Sequence, residues 1–142
     1  MSKHYAEDGL SFSYPGNWRI EREEAANGWT VTLHSPGAAF AMVQLDRDMP
    51  DPREMVHKAL ETLKGEYPTL EADAALETMT GEMAIGHDIE FFSLDMLNTC
   101  WTRSFFGMAG TVFVLCQTTT ADEEDYEPAL REICASMRLE EE

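Results

Sequence analysis

Basic residues are scarce in this sequence. Ten Lys and Arg stand against 27 Asp and Glu among 142 residues, which gives a formal net charge of −17, and the basic residues form no cluster along the chain. Nucleic acids and anionic membrane surfaces are bound through cationic side chains that neutralise phosphate groups, so the composition argues against both as partners. A basic protein partner is compatible with it.

Long apolar segments are missing as well. The longest, 108–116, is interrupted by Gly110 and Thr111 and is too short to cross a bilayer. The N-terminal residues MSKHYAEDG contain no apolar stretch of the signal-peptide type. From these features we expect a cytoplasmic protein.

Cysteine pairs of the redox or zinc-binding type are absent. Cys100, Cys116 and Cys134 are an odd number, lie in apolar patterns and show no C-x-x-C spacing. Such residues are typical of buried, reduced thiols in a cytoplasmic protein. The sequence therefore predicts three free thiols.

Catalytic motifs are also missing. The sequence has no G-x-S-x-G nucleophile elbow and no G-x-G-x-x-G or G-x-x-x-x-G-K phosphate loop. Its many carboxylates form pairs by chance, so a glycosidase-type carboxylate pair is neither supported nor excluded. We expect no enzyme activity, no catalytic residues and no cofactor.

Two patterns that contain histidine are candidates for a metal site or a catalytic dyad. Glu54, His57 and Glu61 would share one face of a helix, but that face lies opposite the apolar stripe and is typical of a solvated surface. His87 and Asp88 are neighbours in a predicted strand, so their side chains point to opposite faces. We therefore expect neither a metal site nor a His–Asp dyad.

The first third of the chain alternates with a period of two, as half-buried strands do. Pro15 and Gly16 are residue types of a type II turn, which we expect to fold the first strand onto the next, with Tyr14 and Trp18 as core anchors. The strands predicted here are 10–14, 18–23, 29–35 and 39–47.

The remaining residues predict two helices and four more strands. Asp51 and Pro52 suit the N-cap and first turn of a helix over 52–67, whose apolar residues recur at helical spacing. Thr120 and Glu123 match a second capping box, and Pro128 predicts a kink or a short turn in the C-terminal helix. The intervening strands are predicted at 70–79, 84–97, 99–106 and 110–118, with Asn98 in a turn.

The resulting order, β-β-β-β-α-β-β-β-β-α, predicts the fold class. Consecutive strands joined by short turns favour an antiparallel sheet, and two separated helices can cover it. We expect an α+β protein with a central antiparallel β-sheet packed between helices. Because no repeat or linker divides the chain, we expect one domain over 1–142 with an ordered core of about 5–139.

Three features of the chain can be read together: F-S-Y-P-x-x-W near the start, a glycine in the long strand, and Y-x-P-A-L-x-x-I-x-x-S-M-R at the end. Their residues are Phe12, Tyr14, Pro15, Trp18, Gly86, Tyr126, Pro128, Ile133, Ser136 and Met137. In this order the motifs resemble the PsbP-like superfamily, which includes PsbP, Mog-type and DcrB-like domains. The resemblance implies an antiparallel sheet between helices and a non-enzymatic role in holding a partner. The matched positions carry the fold and no binding site.

Large apolar residues are dense between 91 and 108, on both faces of the predicted strands. Such a pattern is expected of a central strand covered on both sides, and also of an exposed apolar groove that receives a partner. For the groove, the candidate partner-binding residues are whichever stay exposed among Phe91, Phe92, Met96, Trp101 and Phe106.

The sequence therefore favours one function and leaves another open. We expect a non-enzymatic binding or accessory protein that holds a protein or peptide partner with basic and apolar side chains. Self-association into a homodimer is a variant of the same idea. The alternative is a small-ligand or metal-binding domain, which includes an enzyme whose site follows no known motif.

Overall fold

A computed structural model describes residues 1–140. Within this range the chain forms ten strands and two helices. In chain order they are β1 (Ser2–Glu7), β2 (Leu10–Pro15), β3 (Arg19–Ala25), β4 (Gly28–His34), β5 (Phe40–Asp46), α1 (Pro52–Glu66), β6 (Glu71–Met79), β7 (Glu82–Ser93), β8 (Met96–Phe106), β9 (Thr111–Thr119), α2 (Glu123–Ala135) and β10 (Arg138–Leu139). Neither helix in this part of the chain is long and apolar enough to cross a membrane.

The strands form two antiparallel sheets. Seven of them make one sheet in the order β3-β4-β5-β9-β8-β7-β6, and the other three make a smaller sheet in the order β1-β2-β10. Every pairing is antiparallel. The fold therefore belongs to the α+β class with antiparallel sheets, as the order of elements predicted.

Two hydrophobic clusters lie on opposite faces of the large sheet. Cys100 and Trp101 are neighbours in β8, so their side chains point to opposite faces. Cys100 is buried in a cluster with Leu60 of α1, whereas Trp101 is buried in a cluster with Ile133 of α2 and Phe12 of the small sheet. Helix α1 thus covers one face of β7, β8 and β9, and α2 together with the small sheet covers part of the other.

Helix α1 begins as its sequence predicts. The side chain of Asp51 accepts a hydrogen bond from the backbone N of Arg53 at 2.9 Å, and Pro52 occupies the first turn, where its missing N–H costs no hydrogen bond. Val56 and Leu60 are buried against the sheet. The predicted range of 52–67 is one residue longer than the helix.

The prediction of a capping box at Thr120 is wrong. Asp122 is the N-cap of α2, and its side chain makes no capping hydrogen bond, because Oδ2 accepts one from the backbone N of Ala38 at 2.9 Å instead. Glu123 accepts a hydrogen bond from the Thr99 hydroxyl at 3.1 Å, which ties the start of α2 to β8. The helix continues through Pro128 as a single element, so no separate short turn precedes it.

The turn at Pro15 and Gly16 has a different role from the one predicted. Strand β2 pairs with β1 and β10 in the small sheet, whereas β3 pairs with β4 in the large one, so the turn transfers the chain between sheets. The backbone N of Trp18 donates a hydrogen bond to the carbonyl of Pro15. Among the described residues, Gly16 is not one of those with positive φ. The predicted type II turn, which needs a glycine with positive φ at its third position, therefore does not form. Tyr14 and Trp18 are both buried, as expected of core anchors.

Asn98 is not in a turn. It lies within β8 and is 7 % exposed, and the chain reverses instead at Leu94 and Asp95, whose φ angles of 53° and 61° match a two-residue hairpin turn. The outer strands β1 and β10 were also missed. Strand β1 is exposed at most positions and has no apolar alternation, and β10 has only two residues.

Candidate functional site

A row of carboxylates lies on one face of β6 and β7. In the pairing of these strands, Glu71 is directly opposite Glu90, and Asp73 is directly opposite Asp88. Residues two apart in a strand share a face, so all four carboxylates point to the same side of the sheet. Glu77, four residues after Asp73 in β6, points to that side as well. All five residues are exposed. We call this surface the acidic shelf.

Arg103 of β8 supplies the only ion pairs of the acidic shelf within residues 1–140. Its Nη2 donates to Asp88 Oδ1 at 2.9 Å and its Nε donates to Glu77 Oε1 at 2.6 Å, while its side chain is only 6 % exposed. Burial disfavours the charged guanidinium, but the hydrogen bonds that it donates to Asp88 and Glu77 outweigh this effect and raise the pKa of Arg103. Within the described residues, Glu71, Asp73 and Glu90 have no such partner, so the shelf keeps a net negative charge there.

Small residues make room for this arginine. Its cross-strand neighbour in β7 is Gly86, and the next residue in the row is Ala75 of β6, so the guanidinium crosses β7 and reaches Glu77. A Cβ atom on Gly86 would lie 1.6 Å from the backbone oxygen of Thr102, which means that β7 and β8 approach too closely here for any side chain. The glycine that the family resemblance singled out therefore helps to position the arginine.

An apolar end completes the acidic shelf. Phe92 lies two residues beyond Glu90 on the same face and is 69 % exposed. Its cross-strand partner is the half-buried Leu97, and Leu94 at the adjacent turn is almost fully exposed. The surface thus combines carboxylates with at least one large apolar side chain that nothing in the described chain covers.

The five residues predicted from the aromatic pattern do not form one groove. Phe91 is buried and stacks on Tyr67 with ring centroids 4.1 Å apart, and Trp101 is buried beneath the guanidinium of Arg131, 3.9 Å from its ring centroid. These two are core residues, because Phe91 belongs to the cluster beneath α1 and Trp101 to the cluster beneath α2. Phe91 and Trp101 are therefore not among the predicted residues that stay exposed.

The other three predicted residues are exposed but separate. Met96 is 40 % exposed and points to the face opposite Phe92, because its neighbour Leu97 is the residue that faces Phe92. Phe106 is 48 % exposed at the far end of β8. Of the predicted residues, only Phe92 belongs to the acidic shelf.

A cleft lies on the opposite face, between α1 and the edge strand β6. It has a volume of about 430 Å³ and is lined by Arg53 and His57 of α1, by Leu76 of β6 and by His87 of β7, with no carboxylate in its lining. Burial lowers the pKa of His87, and the charges of Lys64 and His57 lower it further. His87 and Asp88 thus face different sites, as their adjacent positions in a strand predicted.

Metal ligands are not brought together in the described chain. Among residues 1–140, no group of three or more His, Cys, Asp or Glu side chains is placed to hold a metal ion. His57 borders the cleft, whereas Glu54 and Glu61 are exposed on α1. We still predict that Glu54, His57 and Glu61 bind no metal. Calorimetric titration with zinc would test this prediction.

The spacing of acidic residues in the sequence indicates the acidic shelf, whereas the aromatic pattern does not. Glu71 and Asp73, and likewise Asp88 and Glu90, are spaced by two within predicted strands, which places each pair on one face. The register that sets the two pairs opposite each other is visible only in the structure. It depends on the tight turn between β6 and β7, where Thr80 and Gly81 have positive φ.

Comparison with solved structures identifies the fold. Cyanobacterial PsbP (CyanoP) from Synechocystis sp. PCC 6803 superposes with a TM-score of 0.71 at 12% identity, covering 97% of this chain and 92% of that protein. LpqN of Mycobacterium tuberculosis, described as involved in cell envelope biogenesis, gives 0.57 at 16% identity, with 99% and 90% covered. PA94 of Pseudomonas aeruginosa, described as a putative regulator of unknown function, gives 0.55 at 15% identity, with 95% and 94% covered.

These likenesses confirm the PsbP-like fold that the sequence motifs suggested. The sequence itself matches no protein-family model and no curated protein sequence. At such low identity the comparison establishes the fold alone, and function has to be argued from the surface.

Proposed function

We propose that this chain, which has the PsbP-like fold, is a non-enzymatic binding protein that holds a basic and partly apolar segment of a protein partner on the acidic shelf. The observation that carries the proposal is that two pairs of carboxylates are directly opposed, Glu71 with Glu90 and Asp73 with Asp88. Like charges directly opposite each other destabilise a sheet. A feature that weakens the free protein in this way is expected at a functional site.

A cationic partner would remove that penalty. Lysine or arginine side chains placed between the opposed carboxylates turn each repulsive pair into an attractive cluster. Arg103 already does this for Asp88 and Glu77 from within the chain, whereas Glu71, Asp73 and Glu90 have no partner of this kind in residues 1–140. The unbalanced end of the shelf is therefore the end that receives the basic residues.

The exposed Phe92 supplies the apolar part of the contact. It lies next to Glu90 on the same face, so a segment that carries basic residues over the carboxylates would place an apolar residue on the ring. Charge governs how fast such a segment associates, and burial of the apolar anchor governs how slowly it leaves. The overall charge of −17 disfavours nucleic acid at the same surface.

A defined peptide tests the proposal. The probe is a peptide in which lysine and valine alternate over nine residues, the length of β6, and its binding is measured by fluorescence anisotropy. We expect the association rate to fall as salt is raised to about 0.15 M. The double variant Asp73→Asn/Glu90→Gln should bind roughly two- to thirtyfold more weakly, since it removes two exposed ion pairs and each contributes about 0.2–1 kcal/mol.

Matched controls separate this surface from general acidity. Glu23→Gln removes one exposed carboxylate from β3, at the other edge of the sheet, and should leave the affinity unchanged. Phe92→Ser should accelerate dissociation without slowing association. Equal losses for Glu23→Gln and for Glu90→Gln would show that only net charge matters and would contradict the proposal.

The cleft between α1 and β6 supports a second candidate function, the binding of a small organic anion. Arg53, His57 and His87 line it and no carboxylate is part of its lining, although the guanidinium of Arg53 also pairs with Asp51 at 2.7 Å. Titration with benzoate, followed by the ring signals of the two histidines in NMR spectra, tests this function. Shifts that saturate and that disappear in Arg53→Gln would support it.

The cellular location is also a proposal. We propose the cytoplasm, because Cys100, Cys116 and Cys134 are all free cysteines, as is usual in a compartment that keeps thiols reduced. LpqN, which shares the fold, is described as involved in cell envelope biogenesis. Fractionation of the native cells decides between the two locations.

A further inference from the structure

Strand β6 is an open edge of the large sheet. It is the last strand in the sheet order and pairs with β7 alone, so in the described part of the chain its other side has no strand partner. All nine of its residues pair in unbroken register with β7, from Glu71 opposite Glu90 to Met79 opposite Glu82. The strand contains no proline, no lysine and no bulge, so the charged side chains Glu71, Asp73 and Glu77 are the devices it carries against pairing with another edge.

The opposite edge of the sheet is built differently. Strand β3 carries charges of both signs, and Arg22 pairs with Glu24 in its own strand and with Glu7 of β1, each at 2.6 Å. Arg19 pairs with Glu21 in the same way. Because most of its charges are already paired, this edge offers less to a charged partner than β6 does, so the two edges are not equivalent.

The two faces of β6 present different chemistry to a strand that would lie beside it. One face is the acidic shelf, with Glu71, Asp73 and Glu77 from this strand. The other face carries Ala72, Ala74 and Leu76, all exposed, and Leu76 retains 65 % of its surface. The cleft of about 430 Å³ lies next to this second face, so apolar side chains from an added strand have space to enter.

A second copy of the chain does not fit this edge. In an antiparallel pairing of β6 with itself that keeps matching faces together, the carboxylates of one copy would lie beside those of the other. Glu71, Asp73 and Glu77 would then extend the repulsion already present between β6 and β7. The charge of the edge therefore selects a segment of opposite sign.

We propose that β6 receives its partner by strand addition: an extended segment with Lys or Arg at every second position and apolar residues between them pairs with β6 as an eighth strand of the sheet. Backbone hydrogen bonds to the open edge hold the segment, its basic residues meet the acidic shelf, and its apolar residues cover Ala74 and Leu76. This inference rests on the proposed function and adds the mode of binding to it.

Three peptides test the inference. The first alternates lysine and valine over nine residues, the second has the same composition with its lysines contiguous, and the third is the first with every second backbone nitrogen methylated on one edge. Hydrogen exchange of the β6 amides, measured by NMR spectroscopy, is the readout. We expect the first peptide to slow exchange about tenfold at alternate residues of 71–79, because alternate N–H groups of an edge strand point outward.

The other two peptides should bind about tenfold more weakly than the first. If the alternating peptide binds but leaves the exchange of β6 amides unchanged, and the methylated peptide binds equally well, strand addition is wrong while the proposed function stands. If the alternating peptide does not bind at all, both fail.

A pair of matched variants gives an independent readout. Leu76→Lys places a cation on the face of β6 that meets the apolar residues of the segment, and should weaken binding of the alternating peptide about tenfold. Ile20→Lys makes the same change at an exposed apolar residue of β3, the other edge, and should have no effect. Equal losses in the two variants would overturn the assignment of β6 as the receiving edge.

Discussion

Asp73 and Asp88 lie directly opposite each other on neighbouring antiparallel strands, with both carboxylates on one face of the sheet. Arg103 bonds to Asp88 at 2.9 Å and to Glu77, but not to Asp73. The arginine therefore balances only part of the acidic shelf. The remaining repulsion is a property of the free protein that can be measured without knowing its partner.

Removal of one charge from this pair should stabilise the free protein. We expect Asp73→Asn to raise the free energy of unfolding by about 0.2–1 kcal/mol, because it removes a like-charge cross-strand contact. Urea unfolding at low salt measures the change. Glu23→Gln, at a position opposite Thr30 rather than a carboxylate, is the control and should leave stability within about 0.5 kcal/mol. A decrease in stability for Asp73→Asn would show that its carboxylate has a stabilising contact.

The elements with regular apolar periodicity were predictable from the sequence. The alternation of Trp29, Val31 and Leu33 gave β4, and the residues that follow Asp51 gave α1 with its cap. The missed elements lack this signal. Strand β1 is an exposed edge strand, and the reversal at Leu94 and Asp95 uses two residues with positive φ that are not glycine.

The candidate site could be predicted only in part. The pattern around Phe91 and Phe92 indicated large apolar residues on both faces, but which of the two is covered depends on where α1 and its neighbour Tyr67 pack. The opposition of Asp73 and Asp88 depends on the register of β6 and β7. Both are tertiary features that the order of residues along one strand does not contain.

Trp18 should contribute strongly to stability. Its side chain is 5 % exposed, and its ring packs edge-on against Tyr126 of α2 with centroids 6.1 Å apart. We expect Trp18→Ala to lower the free energy of unfolding by about 3–5 kcal/mol, since it leaves a large cavity between the turn and the helix. Phe92→Ala, at an exposed ring, is the control and should change stability by less than about 0.5 kcal/mol. A loss below about 1 kcal/mol for Trp18→Ala in urea unfolding would contradict its role as a core anchor.

Asp8 should make stability depend on pH in the acidic range. Its Oδ2 accepts hydrogen bonds from Trp29 Nε1 at 2.8 Å and from Arg47 Nη2 at 2.9 Å. The hydrogen bond from Trp29 is the main cause that lowers the pKa of Asp8. Burial raises this pKa, but the hydrogen bond and the charge of Arg47 lower it further. A carboxyl whose pKa is lower in the folded than in the unfolded state stabilises the fold when the pH is above its unfolded-state pKa, which is near 3.9. This stabilisation is lost as the pH falls through the folded-state pKa.

The variant Asp8→Asn isolates this contribution. Asparagine tolerates the positive φ of 52° at this position, so the backbone should be retained. We expect the variant to be less stable than the native protein by about 1 kcal/mol at pH 7, and the difference to shrink as pH falls below about 4. Unfolding by urea at several pH values measures both. A difference that is the same at pH 7 and at pH 3 would show that the charge of Asp8 is not the cause.

The three thiols should react with alkylating reagents in a definite order. Cys134 is the only one of them that is partly exposed, and its Sγ lies 3.8 Å from that of Cys116. The hydrogen bond between these two thiols lowers the pKa of Cys134 and raises that of Cys116, whereas burial raises the pKa of Cys100 to about 12. Since the thiolate is the reactive form, Cys134 should be alkylated first in the folded protein.

Iodoacetamide labelling followed by mass spectrometry checks this order. We expect Cys134 to react at least about tenfold faster than the two buried thiols, which should become labelled only under unfolding conditions. In Cys134→Ser the fast phase should disappear, while in Cys100→Ser, the matched control at a buried thiol, it should persist. Fast labelling of Cys100 in the native protein would mean that the cluster of Leu60, Ile89 and Phe91 around it opens readily, since that cluster is what excludes water from the thiol.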